Sequence, residues 1–291
     1  MLFRSASDAY RANIRLASGA DPTQFVVGSN DLSSSHVVQP YGALMYRIND
    51  HLSWYASYAD IYRTQNELRL HADGTRVGPQ HGTTFESGIK GVWREGALNG
   101  YLAVYRVDQR DVPIQTEAPP NNPIVCCYTT GTGRSRGVDL GVDGELAPGW
   151  LIGSGYAYNL YKTGTPDLPI TSTPRHLLKF WTSARLSGAF SRWTVGGSLR
   201  AQTASPGAPA TLLGPKCDAQ GQNCVLPVYV TMWPYAVLDL RAGYQLSDNW
   251  QVAVSVNNIL DKRYYLSQNT PDVNLWYGEP RNFMLRIDAK Y

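Results

Sequence analysis

Asn282-Phe283-Met284-Leu285-Arg286-Ile287-Asp288-Ala289-Lys290-Tyr291 ends the chain, and its strict alternation decides the fold. Phe283, Leu285, Ile287, Ala289 and Tyr291 fall on one side, and Met284, Arg286, Asp288 and Lys290 on the other. Successive side chains of a β-strand point to opposite faces, so this segment is a strand with one apolar and one charged face. Such a strand suits a wall between two unlike media, lipid on one side and a polar interior on the other.

The same period recurs upstream. Phe85, Ser87, Ile89, Gly91 and Trp93 alternate with Glu86, Gly88 and Lys90, and Val138, Leu140, Val142, Gly144 and Leu146 with Asp139, Gly141, Asp143 and Glu145. Trp193, Val195, Gly197 and Leu199 alternate with Thr194, Gly196, Ser198 and Arg200, and Trp250, Val252, Val254 and Val256 with Gln251, Ala253, Ser255 and Asn257. Segments 36–48, 52–62, 98–109, 150–161, 173–186 and 232–246 read as strands with less tidy faces. The pattern predicts about eleven strands of ~9–11 residues each, with one more near 10–17.

Connections between these segments alternate in length. Short ones at 49–51, 94–97, 147–149, 187–192 and 247–249 are rich in turn formers. Long ones cover roughly 63–82, 110–131, 162–172, 204–231 and 259–280. Short periplasmic turns alternating with longer extracellular loops is the habit of outer-membrane barrels. The expected class is therefore all-β, an antiparallel transmembrane β-barrel type with about eleven strands in this chain.

Composition agrees. No stretch approaches the about 20 consecutive apolar residues that a membrane helix needs, while 19 Tyr, 8 Trp and 27 Gly suit aromatic girdles and close strand packing. A net charge of +3 in 291 residues is too small to argue for nucleic acid. On the polar faces, Glu86, Asp139, Asp143, Glu145, Asp239 and Asp288 nearly balance Lys90, Lys179, Arg185, Arg200, Arg241, Arg286 and Lys290. Pairing of these charges across strands is expected; the functional alternative is a wall against which an internal domain docks.

Several motifs together resemble the C-terminal half of a TonB-dependent siderophore receptor. The strongest is Asn257-Asn258-Ile259-Leu260-Asp261-Lys262-Arg263-Tyr264-Tyr265, followed by Tyr277-Gly278-Glu279-Pro280-Arg281-Asn282-Phe283 and the terminal strand. Trp54–Tyr62, Glu86–Gly91, Ser135–Val138 and Pro174–His176 are similar in order and spacing. Within the family, the chain looks closest to receptors for ferric hydroxamate (coprogen and rhodotorulic-acid type) or pyoverdine siderophores. The resemblance implies a Gram-negative outer-membrane location and a barrel of about 22 strands filled by an N-terminal plug, through which TonB acts. Iron would be held by the siderophore alone, so neither a cofactor nor a metal site is expected. Residues 36–291 correspond to the C-terminal part of such a barrel and 1–35 to a partial strand and loop, with the plug absent. The chain is therefore expected to be a truncated piece, inactive alone. A passive channel closed by oligomerisation and a surface-binding protein without transport are the rival expectations.

No enzyme signature survives inspection, and no catalytic residue is assigned. Gly133-Arg134-Ser135-Arg136-Gly137 matches a nucleophile elbow in letters only, since an alternating strand follows it where a helix is needed. His36, His51, His71, His81 and His176 lack metal-ligand spacing. Cys217 and Cys224 bracket six residues in a long extracellular loop, where a disulfide is expected; adjacent Cys126 and Cys127 receive no pairing.

Siderophores are amphipathic chelates, so aromatic side chains with a few polar groups suit them. Arg63, Tyr128, Tyr229, Trp233, Trp276 and Tyr277 lie in or beside the long loops and are the candidate contacts. Girdle residues anchoring the interface are the competing reading for the aromatics. Arg63 and Arg134 suit anionic groups of a ferric complex or lipopolysaccharide phosphates in the surrounding outer-membrane lipid. Phe283 and Tyr291 resemble the terminal signal read by the barrel-assembly machinery.

Overall fold

Hydrogen-bonded pairing turns the period-two pattern into a single large sheet. The computed structural model describes residues 37–65, 69–115, 128–164, 173–205, 209–216, 225–229, 231–268 and 275–290. The segment expected near 10–17, the 1–35 region, the four cysteines and Tyr291 lie outside these residues.

The strands are β1 (Tyr41–Arg47), β2 (Leu52–Arg63), β3 (Gln80–Trp93), β4 (Leu98–Gln115), β5 (Tyr128–Ala147), β6 (Trp150–Thr163), β7 (His176–Arg185), β8 (Trp193–Gln202), β9 (Pro209–Lys216), β10 (Val225–Tyr229), β11 (Tyr235–Gln245), β12 (Trp250–Asn257), β13 (Tyr265–Gln268), β14 (Leu275–Tyr277) and β15 (Asn282–Ala289). Eleven of them form one sheet in the order β1-β2-β3-β4-β5-β6-β7-β8-β11-β12-β15, every pair antiparallel. These eleven match the segments read from the sequence one for one. Among the described residues β1 and β15 pair on one side only, so the sheet is open.

Register assigns the two faces. Val252 stands opposite Ile287, Val254 opposite Leu285 and Val256 opposite Phe283, while Gln251 meets Asp288 and Ala253 meets Arg286. Followed strand by strand, the same parity places Leu240, Leu199, Phe180, Tyr156, Leu140, Leu102, Ile89 and Trp54 on the apolar face. Many of these residues stay exposed, Phe283 at 74% and Leu285 at 65%, as a face meant for lipid requires.

Two aromatic belts border that apolar band. At the short-turn ends, Trp93, Trp150, Trp193 and Trp250 all stand on the apolar face, half-exposed. The ring of Trp93 lies over Gly91 and Gly100, where a Cβ at Gly91 would collide with it. At the other end stand Phe85, packed on Tyr58 at 4.9 Å, and Tyr158, packed on His176 at 4.9 Å. Trp93 to Phe85 and Trp150 to Tyr158 are the same eight-residue step, about 26 Å along a strand. Strand tilt reduces that to about 20 Å along the membrane normal, close to the ~25 Å apolar band of such barrels.

The strands are longer than the sequence pattern shows. β4 has 18 residues and β5 has 20, where about 9–11 cross a bilayer. Beyond the second belt neither face needs to be apolar, so the alternation fades while the ladder continues. The long loops also hold two further hairpins, β9–β10 and β13–β14, which lack any apolar alternation. A bulge interrupts the β4–β5 ladder between Gln109 and Val112, with Asp111 at a φ of 59°. It shifts the phase, so that Val112 and Ile114 turn from the face of Arg106 to the opposite face and become buried.

The expected cross-strand pairing of interior charges is corrected. Among the described residues only Arg286 and Asp288 of that set form an ion pair, and they do so along one strand at 2.8 Å. Several of the others use neutral partners. Glu86 accepts from the Tyr55 hydroxyl at 2.6 Å, Lys90 sits 4.7 Å from the centre of the Tyr55 ring, and Asp239 accepts from Ser198 at 2.6 Å. Tyrosines and serines interleave with the charges and are closer at hand than an opposite charge.

The topology predicts asymmetric labelling in cells. A cysteine replacing exposed Ala72, at a long-loop tip, should react with an impermeant maleimide on intact cells. One replacing exposed Pro148, in a short turn, should react only after permeabilisation; equal reactivity would refute the orientation.

Candidate functional site

The long-loop end of the sheet carries the candidate contacts, and two hydrogen-bonded clusters organise the chain around them. In the first, residues 69–77 fold back as a hairpin-like turn with a Leu70–Arg76 bridge. The turn follows from Asp73-Gly74-Thr75: Asp73 Oδ1 accepts from the Thr75 backbone at 2.9 Å and its hydroxyl at 2.6 Å, and Gly74 adopts a φ of 81°. The Thr75 hydroxyl, followed by its backbone N–H, favours the charged form of Asp73 and lowers its carboxyl below the usual value.

Tyr128 is tied to this turn by its backbone and its ring. Its N–H donates to the Leu70 carbonyl at 2.8 Å, and its own carbonyl accepts from His71 Nδ1 at 2.9 Å. A carbonyl only accepts, so this bond needs the His71 proton on Nδ1. The Arg69 guanidinium lies 5.5 Å from the centre of the Tyr128 ring and donates to Gln65 at 2.7 Å. Two long loops are thus pinned together where the aromatic residue was expected to meet a ligand. Arg63 is exposed at the end of β2 opposite Gln80, on the polar face by strand parity, whereas Tyr128 shares the parity of the apolar face. The structure does not bring these two together.

The second cluster is a clasp built on Asn258. This residue is 2% exposed, and it adopts a φ of 48° that Asn tolerates better than most residues. Its Nδ2 donates to the carbonyls of Lys262 and Glu279, each at 2.9 Å, and its Oδ1 accepts from the Lys262 N–H at 2.8 Å. The Asn258 N–H donates to Asp239 at 2.8 Å, which fixes the turn to β11. Asp261 accepts from the Arg281 N–H at 3.0 Å, and Asn257 donates to Asn282 at 2.8 Å. Beneath the clasp, Tyr235, Val237 and Tyr264 form a buried cluster, with the two tyrosine rings 4.3 Å apart. Arg200 donates to the Tyr264 hydroxyl at 2.9 Å, and Gly278 lies so close to the Tyr264 ring that any Cβ would strike it. The Asn257–Tyr265 and Tyr277–Phe283 motifs therefore serve to lock the last long loop onto β11, β12 and β15.

The outer aromatics project from this platform. Trp276 is 64% and Tyr277 65% exposed, with Tyr277 stacked 4.8 Å from Tyr265. Trp233, beside the Ser205–Met232 bridge, is 80% exposed. Tyr229 ends β10, and Cys217 and Cys224 fall outside the described residues. Strands β6, β7 and β8 separate the Tyr128 cluster from the Asn258 clasp in the sheet order. What the sequence reading missed was the anchoring: Asp73-Gly74-Thr75 is a turn signal in its own right, while the buried state of Asn258 has no local signature. Among the described residues no three His, Cys, Asp or Glu side chains gather as a metal site would need.

Comparison with known proteins places this geometry. The family described as TonB dependent receptor-like, beta-barrel, matches residues 8–259. The ferric-pyoverdine M114 receptor of Pseudomonas sp. strain M114 is 33% identical over 261 residues, covering 87% of this chain and 30% of that protein. The ferripyoverdine receptor of Pseudomonas aeruginosa is 30% identical over 249 residues, covering 84% of this chain and 29% of its own length. The crystal structure of the P. aeruginosa outer-membrane ferripyoverdine receptor bound to ferripyoverdine superposes with a TM-score of 0.76 at 29% identity, over 88% of this chain and 33% of that one. The chain thus spans about a third of the length of the curated relatives it matches.

Asn258→Ala should destabilise the clasp by roughly 2–4 kcal/mol, from unpaired buried backbone groups and an alanine held at positive φ. Protease digestion of the 258–281 connection should accelerate correspondingly in that variant. Unchanged protection would show that Asn258 does not hold the loop.

Proposed function

Because this chain belongs to the TonB-dependent receptor family, its barrel described by residues 8–259, we propose that it forms part of the wall of a Gram-negative outer-membrane receptor for a ferric siderophore of the pyoverdine type. The observation that carries this reading is the open sheet of eleven strands with one lipid-type face, superposing on the ferripyoverdine-bound receptor. Iron is cargo in this reading and is held by its chelate, so the protein needs only to recognise the chelate's outer surface.

The exposed aromatics fit that task. Trp233, Trp276 and Tyr277 offer flat apolar plates with polar edges, and Arg63 on the polar face offers a cation for an anionic chelate. Tyr128 is better suited to positioning the first long loop than to ligand contact, since its backbone and ring are already engaged. Tyrosines and serines paired with Glu86, Lys90 and Asp239 leave the polar face able to pack against an internal domain. Energised transport is assigned to the whole receptor. Among the described residues β1 and β15 each keep one unpaired edge, and in lipid unpaired backbone groups there would cost several kcal/mol each.

A hybrid receptor tests the reading. The plug and N-terminal strands of the P. aeruginosa ferripyoverdine receptor, joined to this chain, should restore energy-dependent growth of a receptor-deficient strain on ferripyoverdine. The 291-residue chain alone should not. A hybrid that reaches the outer membrane and takes up no siderophore would contradict the receptor reading, and energy-independent uptake by the chain alone would favour a passive channel.

A further inference from the structure

Charge on the polar face is sorted by strand. Glu86, Asp139, Asp143 and Glu145 stand on β3 and β5, whereas Lys179, Arg185, Arg200, Arg241 and Arg286 stand on β7, β8, β11 and β15. The carboxylates among those cations are occupied: Asp239 accepts from Ser198 and from the Asn258 N–H, and Asp288 pairs with Arg286. Among the described residues no carboxylate forms an ion pair with Lys179, Arg200 or Arg241. Lys179 and Arg200 nevertheless stand directly opposite each other on β7 and β8. Like charges so placed destabilise a sheet, and an anion between them removes that penalty.

Arg200 is held from one side only. Its Nη2 donates to the Tyr264 hydroxyl at 2.9 Å, with the guanidinium 5.8 Å from the centre of that ring, while its Nε is buried without a hydrogen-bond partner. The Asn258 clasp thus fixes the guanidinium and leaves one buried donor unmet, which is unfavourable until an acceptor arrives. Lys179 is exposed. On its other side it faces Gly155 of β6, where a Cβ would meet nothing within 4 Å. That hollow is bordered by aromatic plates, the Trp181 ring lying over Gly153 and the Tyr101 ring over Gly141. Both rings are nearly half-exposed, so the plates are open to the polar side.

We propose that Lys179 and Arg200 form an anion site on the polar face that takes the free acidic group of an incoming ferric chelate, and so selects chelates of net negative charge. The inference rests on the receptor reading and adds the charge class of the substrate to it. Position favours a chelate as the occupant. Trp233 shares the strand parity of Val237, which stands opposite Arg200, and the Ser205–Met232 bridge keeps the register of Tyr235 opposite Gln202. The step from Trp233 down to Val237 is about 13 Å along a strand, a distance that one chelate of siderophore size covers. A chelate resting on the exposed Trp233 thus reaches Lys179 and Arg200 with an acidic arm, which accepts charge-assisted bonds from both. The plates of Trp181 and Tyr101 suit its planar groups.

The test titrates two probes into the full 291-residue chain in detergent micelles, and into the hybrid receptor. One is ferripyoverdine carrying a free side-chain carboxylate, and the other is the same complex with that carboxylate converted to a primary amide. Both proteins should bind the acid about tenfold more tightly than the amide, the size expected of one hydrogen bond to a charged group. Lys179→Gln combined with Arg200→Gln should abolish the preference, acid binding falling to the level of the amide. Lys179→Gln alone leaves the Tyr264 contact and the clasp in place, and should still cut the preference about threefold or more. Lys90→Gln, in the same row of the sheet on β3, should keep it. Equal binding of acid and amide in either unmodified protein, a preference that survives Lys179→Gln, or an equal loss in Lys90→Gln would overturn the proposal. Were the preference lost in the hybrid only, the site would belong to a carboxylate of the internal domain. Binding of neither probe to either protein would contradict the receptor reading itself, and the inference with it.

Discussion

Every feature of this sheet follows from the need to satisfy backbone N–H and C=O groups where no water is available. A ladder of antiparallel strands does so while leaving side chains free to differ between its two faces. Because the side-chain period is two, one register fixes both faces at once: Val254 opposite Leu285 obliges Ala253 to lie opposite Arg286. A slip of one residue would carry Phe283, Leu285 and Ile287 to the polar side along the whole strand. Register is therefore held hard, by the tryptophan belt at one end and by the loop clusters at the other.

The clusters at the long-loop end solve a different problem. There the chain leaves the ladder and must return to it without fraying the strand tops. Asn258 does this by acting as a surrogate backbone, donating to two carbonyls and accepting from one N–H in a place where no strand could run. The Asp73 turn and Tyr128 do the same for the first long loops. The bulge at Arg110 and Asp111 changes which side of β4 is buried, so the same strand presents cations outward below it and Val112 and Ile114 to the other side above it. Recognition surfaces such as Trp276 and Tyr277 stand on these anchored bases.

How much of this was legible follows from which forces leave a periodic trace. All eleven sheet strands were visible, because lipid against one face imposes alternation on residues such as Val138–Leu146 and Trp250–Asn257. The extensions of β4 to Gln115 and of β5 back to Tyr128 left no trace, since beyond the upper belt no lipid lies against either face to impose alternation. Hairpins β9–β10 and β13–β14 were hidden for the same reason. The partners of Glu86, Lys90 and Asp239 could not be read either: a charge signals its sign in the sequence, whereas Tyr55 and Ser198 reach it only through register. Asn258 stood out as part of a motif, but its burial depends on residues 239 and 279, far apart in the chain.

The central claim, that the face bearing Leu102, Val104 and Leu140 meets lipid, is open to one direct measurement. Nitroxide labels placed singly at positions 98 to 106 of β4 can be compared for collision with oxygen, which concentrates in lipid, and with a water-soluble nickel complex. Oxygen accessibility should rise and fall with a period of two, high at 98, 100, 102 and 104 and low at 99, 101, 103 and 105, and should give way to nickel accessibility at 106. A flat profile, or the opposite phase, would contradict the account.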